Sequence, residues 1–288
     1  MRQLGLTPVH ATARTTYDAE VRLASGLNAV LTGPPNGPVV VFLHGFGCGQ
    51  AMWRHVAPAF EADHRVVLLD LPGAGDADPT TYDPERHASL EAYADDVLRV
   101  LEELDLVEVT IVGHSVSSMI GVLAHIAAPS VVTRLVLVTP SARYIDDDDY
   151  KGGFASADVD DLLEMMDRNH LGWQEPLSGL VAGAGHDDAR VELEDSFCRT
   201  RPDIAAQFAA VTFRGDNRSD LDRVTAPTLV LQVRDDAIAP MSAGQYVNDH
   251  IAGSKLVVLD TRGHAPHVSD PEDVVAAISG FLRVPAGN

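Results

Sequence analysis

The chain has 288 residues, 45% hydrophobic and 22% charged, with 42 acidic against 21 basic side chains and a formal net charge of −21. That apolar content excludes global disorder, and the length fits either two domains or one α/β domain with an inserted cap. The charge argues against nucleic acid and anionic membrane as natural partners, because phosphate-bearing surfaces would be repelled.

In chain order, Tyr17–Leu23 and Asn28–Leu31 read as an opening hairpin. Val39–Leu43 (VVVFL) has no polar alternate face, which predicts a strand buried on both sides. Arg65–Leu71 is the next strand, closed by the Pro72-Gly73 turn. Leu90, Tyr93, Ala94, Val97, Leu101 and Leu104 recur at helical spacing, with Ser89 placed to cap the helix and Glu91 favourable to its dipole. Glu108–Val112 and Arg134–Val138 are further buried strands, with a helix over Val116–Ala127 between them. Thr228–Val233 and Lys255–Leu259 complete the sheet, and Pro271–Leu282 is a last helix begun by proline. Alternating strands and helices of this kind predict an α/β fold on a mostly parallel sheet.

From about Pro140 to Arg214 that rhythm stops. Helical segments are predicted at Asp158–Asn169, Glu175–Ala182, Ala189–Thr200 and Pro202–Val211, with Leu162, Leu163, Met166 and Leu171 at helical spacing. A structureless loop of this length is implausible, so the segment reads as an inserted helical cap. The acidic run Asp146–Asp149 is read as a solvated turn in preference to a metal site. Two cysteines, Cys48 and Cys198, are too few for a disulfide framework or a four-ligand zinc site, and they are expected to be packed thiols. The first twenty residues lack an apolar signal core, and no apolar run approaches the roughly 18 residues that span a bilayer. A reduced cytoplasm is the expected location.

The chemical signal is Thr110-Ile-Val-Gly113-His114-Ser115-Val116-Ser117, where a buried strand hands over to a helix. That context suits a nucleophile elbow, in which small residues must flank the serine because the backbone doubles back. Ser117 stands where the second glycine of G-x-S-x-G is usual. A serine nucleophile needs a base and an orienting acid, which follow here in the order Ser, Asp, His. Asp235-Asp236 ends one late strand and His264-Ala-Pro-His267 follows the next. Adjacent aspartates point opposite ways, so one of the two faces the histidine; His264 and His267 compete in the same manner. His264-x-x-His267 has no convincing third ligand for a metal, and His114 is expected to pack beneath the elbow. His44-Gly-Phe46-Gly-Cys-Gly49 after VVVFL supplies one oxyanion donor, the Phe46 N–H, and Val116 N–H supplies the other.

These strings resemble α/β-hydrolases of the group containing the bacterial stress-response regulator RsbQ and the plant strigolactone and karrikin receptors. The likeness runs over nearly the whole chain. It is carried by Gly45–Gln50 with Trp53, Val112–Gly121, Tyr150–Phe154, Leu163–Met166, Phe197–Thr200, Asp236–Pro240 and Gly263–His267. The Gly-His-Ser-Val-Ser string is shared with the plant receptors, which accommodates Ser117. The resemblance implies a Ser115–Asp236–His264 triad, with Asp236 chosen over Asp235, and Phe46 and Val116 as oxyanion donors. It also implies an eight-stranded sheet with helices on both faces and a four-helix, V-shaped cap over a small hydrophobic cavity. The corresponding division is a core at 1–139 and 216–288 with a cap at 140–215.

The expected function is hydrolysis of a small ester or lactone, without metal or cofactor. The alternative is a signalling protein that binds a butenolide-like ligand, hydrolyses it slowly and engages a partner such as a protein phosphatase. Dehalogenase and epoxide-hydrolase chemistry needs Asp at position 115, and a cofactor-free haloperoxidase ranks below the hydrolase. A fluorophosphonate probe should label the wild-type chain and fail to label Ser115→Ala; labelling that persists would place the nucleophile elsewhere.

Overall fold

The computed structural model describes residues 19–168, 172–197 and 199–284. Tyr17, Leu171 and Cys198, named above, lie outside the described residues. Eight strands form one sheet: β1 Glu20–Ala24, β2 Leu27–Thr32, β3 Val39–Leu43, β4 Arg65–Leu69, β5 Val109–His114, β6 Val132–Val138, β7 Thr228–Asp235 and β8 Lys255–Arg262. Their spatial order is β1-β2-β4-β3-β5-β6-β7-β8. β1–β2 and β2–β4 pair antiparallel, and every other pairing is parallel.

The buried strands work as their sequences require. Along β3, Val41 and Leu43 belong to the core on one face of the sheet, and Val40 and Phe42 to the core on the other. The first face is covered by α1 (Leu90–Glu103) and α2 (Val116–Ala127), which supply Tyr93, Val97, Met119 and Ile120. The second is covered by Trp53 and by Val274, Ile278 and Phe281 of the last helix, Pro271–Leu282.

Four cap helices, α3 (Ser156–Arg168), α4 (Gln174–Ala182), α5 (Asp187–Phe197) and α6 (Pro202–Arg214), are inserted between β6 and β7. The remaining helices are α7 (Met241–His250), α8 (Pro266–Ser269) and α9, the last helix. Sequence patterning missed α7 because its buried positions are only Ala243, Gly244 and Val247, too small a stripe to stand out. Ser89 has the extended backbone of an N-cap, but its side chain makes no capping hydrogen bond. The α1 terminus is left with Glu91 as its favourable charge. In the acidic run, Asp146 accepts from Gly153 N–H at 2.9 Å and pairs with Lys151, and Asp147 pairs with Arg218. Among the described residues no helix is long and apolar enough to cross a membrane.

β5 carries the elbow, and its Ile111 is fully buried between sheet and α2. Ile111→Ala should lower the unfolding free energy by about 2–5 kcal/mol, read from urea denaturation, because its cavity forms under a rigid parallel sheet.

Candidate active site

The turn from β5 into α2 places Ser115 at φ 57°, ψ −122°, a strained conformation for a residue with a side chain. Gly113 is required there: a Cβ on it would lie 2.3 Å from the Ser117 carbonyl oxygen. The serine at 117 has its own task. Its hydroxyl donates to the His44 carbonyl, tying the start of α2 to the loop after β3. Ser118 Oγ donates to the Gly113 carbonyl at 2.9 Å, and Ser115 N–H to Val138 O at 2.9 Å, so both sides of the turn are anchored.

Ser115 Oγ lies 2.7 Å from His264 Nε2, and His264 Nδ1 lies 2.8 Å from Asp236 Oδ2. The structure thus brings together Ser115, His264 and Asp236. Asp235, exposed one residue earlier, faces Arg262 instead, at an irregular end of β7 where the pairing register shifts between Val233 and Asp235. Asp236 is buried, and its other oxygen accepts the backbone N–H groups of Ile238 and Ala239 at 2.8 and 2.9 Å, which satisfies a carboxylate out of water. His264 is fixed through its backbone as well. Its N–H donates to Val181 O of α4 at 2.6 Å, while its carbonyl accepts from His114 Nε2 at 2.8 Å and lies 2.9 Å from the Thr139 hydroxyl. Gly263, at φ 87°, allows this docking, since a Cβ there would meet the Ala182 carbonyl oxygen at 2.1 Å.

His267 does not reach the serine. It is fully buried, packs at a tilt against Trp53 and His114 with ring centroids 4.4 and 4.3 Å away, and its ring nitrogens have no hydrogen-bond partner among the described residues. His114 packs against His264, and burial among other histidines holds its imidazole well below the usual range. Cys48 is a buried thiol whose pKa burial pushes up to about 12, so it stays protonated.

The Phe46 ring lies 5.7–6.4 Å from those of Trp173, Phe197, Phe208 and Phe213, which belong to three sides of the cap. This aromatic cluster roofs the site. Beneath it a cavity of about 20 Å³, bordered by Leu177, Val181, Phe213 and Ile238, lies against Ser115 and His264. It is apolar, as expected of the cap, and has room for about one water.

Sequence reasoning missed Tyr144. Its phenol lies 3.0 Å from Ser115 Oγ, and burial keeps it protonated by raising its pKa. Since the serine proton points to His264, Tyr144 is placed to donate to Ser115 Oγ. Its position just past β6, at the head of the inserted segment, is the signal that could have found it.

A strained serine at a strand-to-helix turn, hydrogen-bonded to a histidine that is bonded to a buried aspartate, beneath an inserted cap, defines a capped serine hydrolase. The chain belongs to the alpha/beta hydrolase family, whose sequence profile matches residues 40–278. It is similar to the Karrikin insensitive 2 receptor IA of Petunia hybrida, 40% identical over 241 residues that cover 83% of this chain and 88% of the relative. It is also similar to the Strigolactone esterase D14 of Arabidopsis thaliana, 35% identical over 263 residues, or 91% of this chain and 96% of the relative. Among solved structures, olei00960, a hydrolase from Oleispira antarctica, superposes with a TM-score of 0.87 at 36% identity, covering 91% of this chain and 96% of that one.

Burial of the histidine cluster makes stability depend on pH. Burial depresses the His267 pKa from 6.5 to about 3, so the native state keeps the ring neutral where the unfolded chain binds a proton. Its contribution to stability is complete above about pH 6.5 and is lost as pH falls from there toward 3, at up to about 1.4 kcal/mol per pH unit. Thermal unfolding between pH 7 and 4.5 should therefore show a steeper fall in Tm for wild type than for His267→Phe, which retains an aromatic ring but not the titration.

Proposed function

We propose that Ser115, His264 and Asp236 form the catalytic triad of a hydrolase for small uncharged esters or lactones, with Phe46 and Val116 N–H as the oxyanion hole. The observation that carries this reading is the continuous chain of hydrogen bonds from Ser115 Oγ through both ring nitrogens of His264 to Asp236, at 2.7 and 2.8 Å. His264 takes the Ser115 proton as the hydroxyl attacks the carbonyl, and Asp236 orients the ring and stabilises the imidazolium. The Val116 N–H, first in α2, has no acceptor within its own helix and is available to the developing oxyanion. Each oxyanion donor is worth about 3–4 kcal/mol of transition-state stabilisation. His264 then protonates the leaving alcohol and activates the water that releases the acyl group. Tyr144 holds Ser115 Oγ toward the attack line in the resting site. The cap over residues 140–215 excludes water and limits the acyl group.

A second reading has support in the likeness to a plant receptor. On it, the chain binds a small apolar butenolide-like ligand as a signal, cleaves it slowly, and presents its cap to a partner such as a phosphatase. Turnover of aryl acetates separates the two, since a rate far below about 1 per second fits a receptor.

Two results test the proposal. Activity on aryl esters should fall steeply from acetyl to long acyl chains; a flat or rising profile would refute the capped-pocket reading. Asp236→Asn should cut acetate hydrolysis by about 10⁴-fold through loss of the correct histidine tautomer, while Asp235→Asn leaves it within about twofold. The reverse ranking would move the acid.

A further inference from the structure

The two N–H groups assigned to the oxyanion come from different parts of the chain, Phe46 in the loop after β3 and Val116 at the start of α2. Among the described residues neither N–H donates to another group of the protein. Each is nonetheless aimed. In a trans peptide the N–H points opposite to the carbonyl of the preceding residue, so fixing that carbonyl fixes the donor. The Gly45 carbonyl accepts from His44 Nδ1 at 2.9 Å and from Cys48 N–H at 3.3 Å. The imidazole is held in turn, because its Nε2 accepts from Leu71 N–H at 3.1 Å, which leaves the proton on Nδ1. On the other side, the Ser115 carbonyl accepts from Ser118 N–H at 2.9 Å.

Two aimed donors serve one oxyanion only if the spacing between them is fixed as well. One bond spans that gap. Ser117 Oγ donates to the His44 carbonyl, linking the residue after Val116 to the residue two before Phe46. Ser117 and His44 are both fully buried, out of reach of competing water. Among the described residues no other hydrogen bond joins residues 44–49 to α2. The far end of the loop is anchored elsewhere, by Gln50 N–H and Nε2 on Asp70 at 2.7 and 2.8 Å. Loop and elbow approach closely, since a Cβ on Gly45 would lie 2.4 Å from His114 Nδ1 and 3.4 Å from Ser115 Cβ. A glycine at 117 would fit the same turn but could not make the bond.

We infer that Ser117 is a positioning residue for the oxyanion hole, its hydroxyl setting the spacing between the Phe46 and Val116 N–H groups. The inference rests on the hydrolase reading and deepens it. Ser117 acts through the His44 carbonyl and not on the reacting atoms. Because the oxyanion exists only once the carbonyl has been attacked, the bond matters to the transition state and little to the bound ester.

The test compares wild type with Ser117→Gly and Ser117→Ala, both smaller than serine, each assayed below its own unfolding temperature. For phenyl acetate, kcat/KM should fall by about tenfold, less than the about 10²–10³-fold that follows loss of a whole oxyanion donor. Trifluoroacetophenone is the transition-state probe: Ser115 Oγ bonds to its carbonyl carbon, the ketone oxygen takes the negative charge and the proton passes to His264. Its inhibition constant should rise by the same factor. In Ser115→Ala, where no oxyanion forms, removing the Ser117 hydroxyl should change phenyl acetate affinity by less than about twofold. The pH midpoint of kcat/KM should stay at the wild-type value, since the His264–Asp236 pair is untouched. Unchanged rate and inhibition, a rate loss without weaker inhibition, a shifted midpoint, or ester binding weakened as much as the rate would overturn the role of Ser117 and leave the hydrolase reading standing. A wild-type chain that neither cleaves phenyl acetate nor binds the ketone would overturn both.

Discussion

The backbone of Ser115 is the constraint around which the rest is arranged. A residue with a side chain held at φ 57°, ψ −122° costs about 1–3 kcal/mol, and it persists only when the surroundings over-determine it. Here they do. The β5 strand is buried on both faces, Ser115 N–H is tied to Val138 O of β6, and Ser118 closes back onto Gly113. The strain lifts the hydroxyl out of the sheet and aims it at His264. Because the turn is fixed by the parallel sheet, the position of Ser115 Oγ is set before any ligand arrives.

His264 depends on a different kind of support. Its side chain is oriented by Asp236, but its backbone bridges two parts of the molecule. The core holds the carbonyl through His114 and Thr139, and cap helix α4 holds the N–H through Val181. Phe46 performs the same bridging from the other side, with its amide in the loop after β3 and its ring among cap aromatics. Cap and core therefore share the site at two points, and a shift of α4 is felt directly at the histidine. The small cavity follows from this tight junction. Any ligand larger than a water must move the aromatic roof.

Reading the chain from one end to the other located most of the architecture, because parallel strands buried on both faces are written as unbroken β-branched runs. VVVFL coincides with β3, Glu108–Val112 overlaps β5 and Thr228–Val233 covers all but the last two residues of β7, and the break in strand rhythm after Pro140 coincides with the four cap helices. α7 stayed hidden because small residues bury a helix without leaving an apolar stripe, and Ser89 failed as a cap because backbone conformation does not dictate where a hydroxyl turns.

What the sequence determined by itself is the local chemistry. Gly113 and Ser117 announce a turn that only small residues permit, and the order Ser, Asp, His along successive strand ends follows from chain connectivity in a parallel sheet. What only the tertiary structure decided is which of two equivalent neighbours meets its partner, and who else stands nearby. Asp236 over Asp235 and His264 over His267 are choices of side-chain direction, made by the irregular end of β7 and by a loop docked on α4. Tyr144 against Ser115, and Phe46 against the cap aromatics, join residues 29 apart in one case and cap to core in the other. Periodicity and motif spacing report neighbours along a chain, and these contacts are made only when the sheet has closed and the cap has packed down upon it.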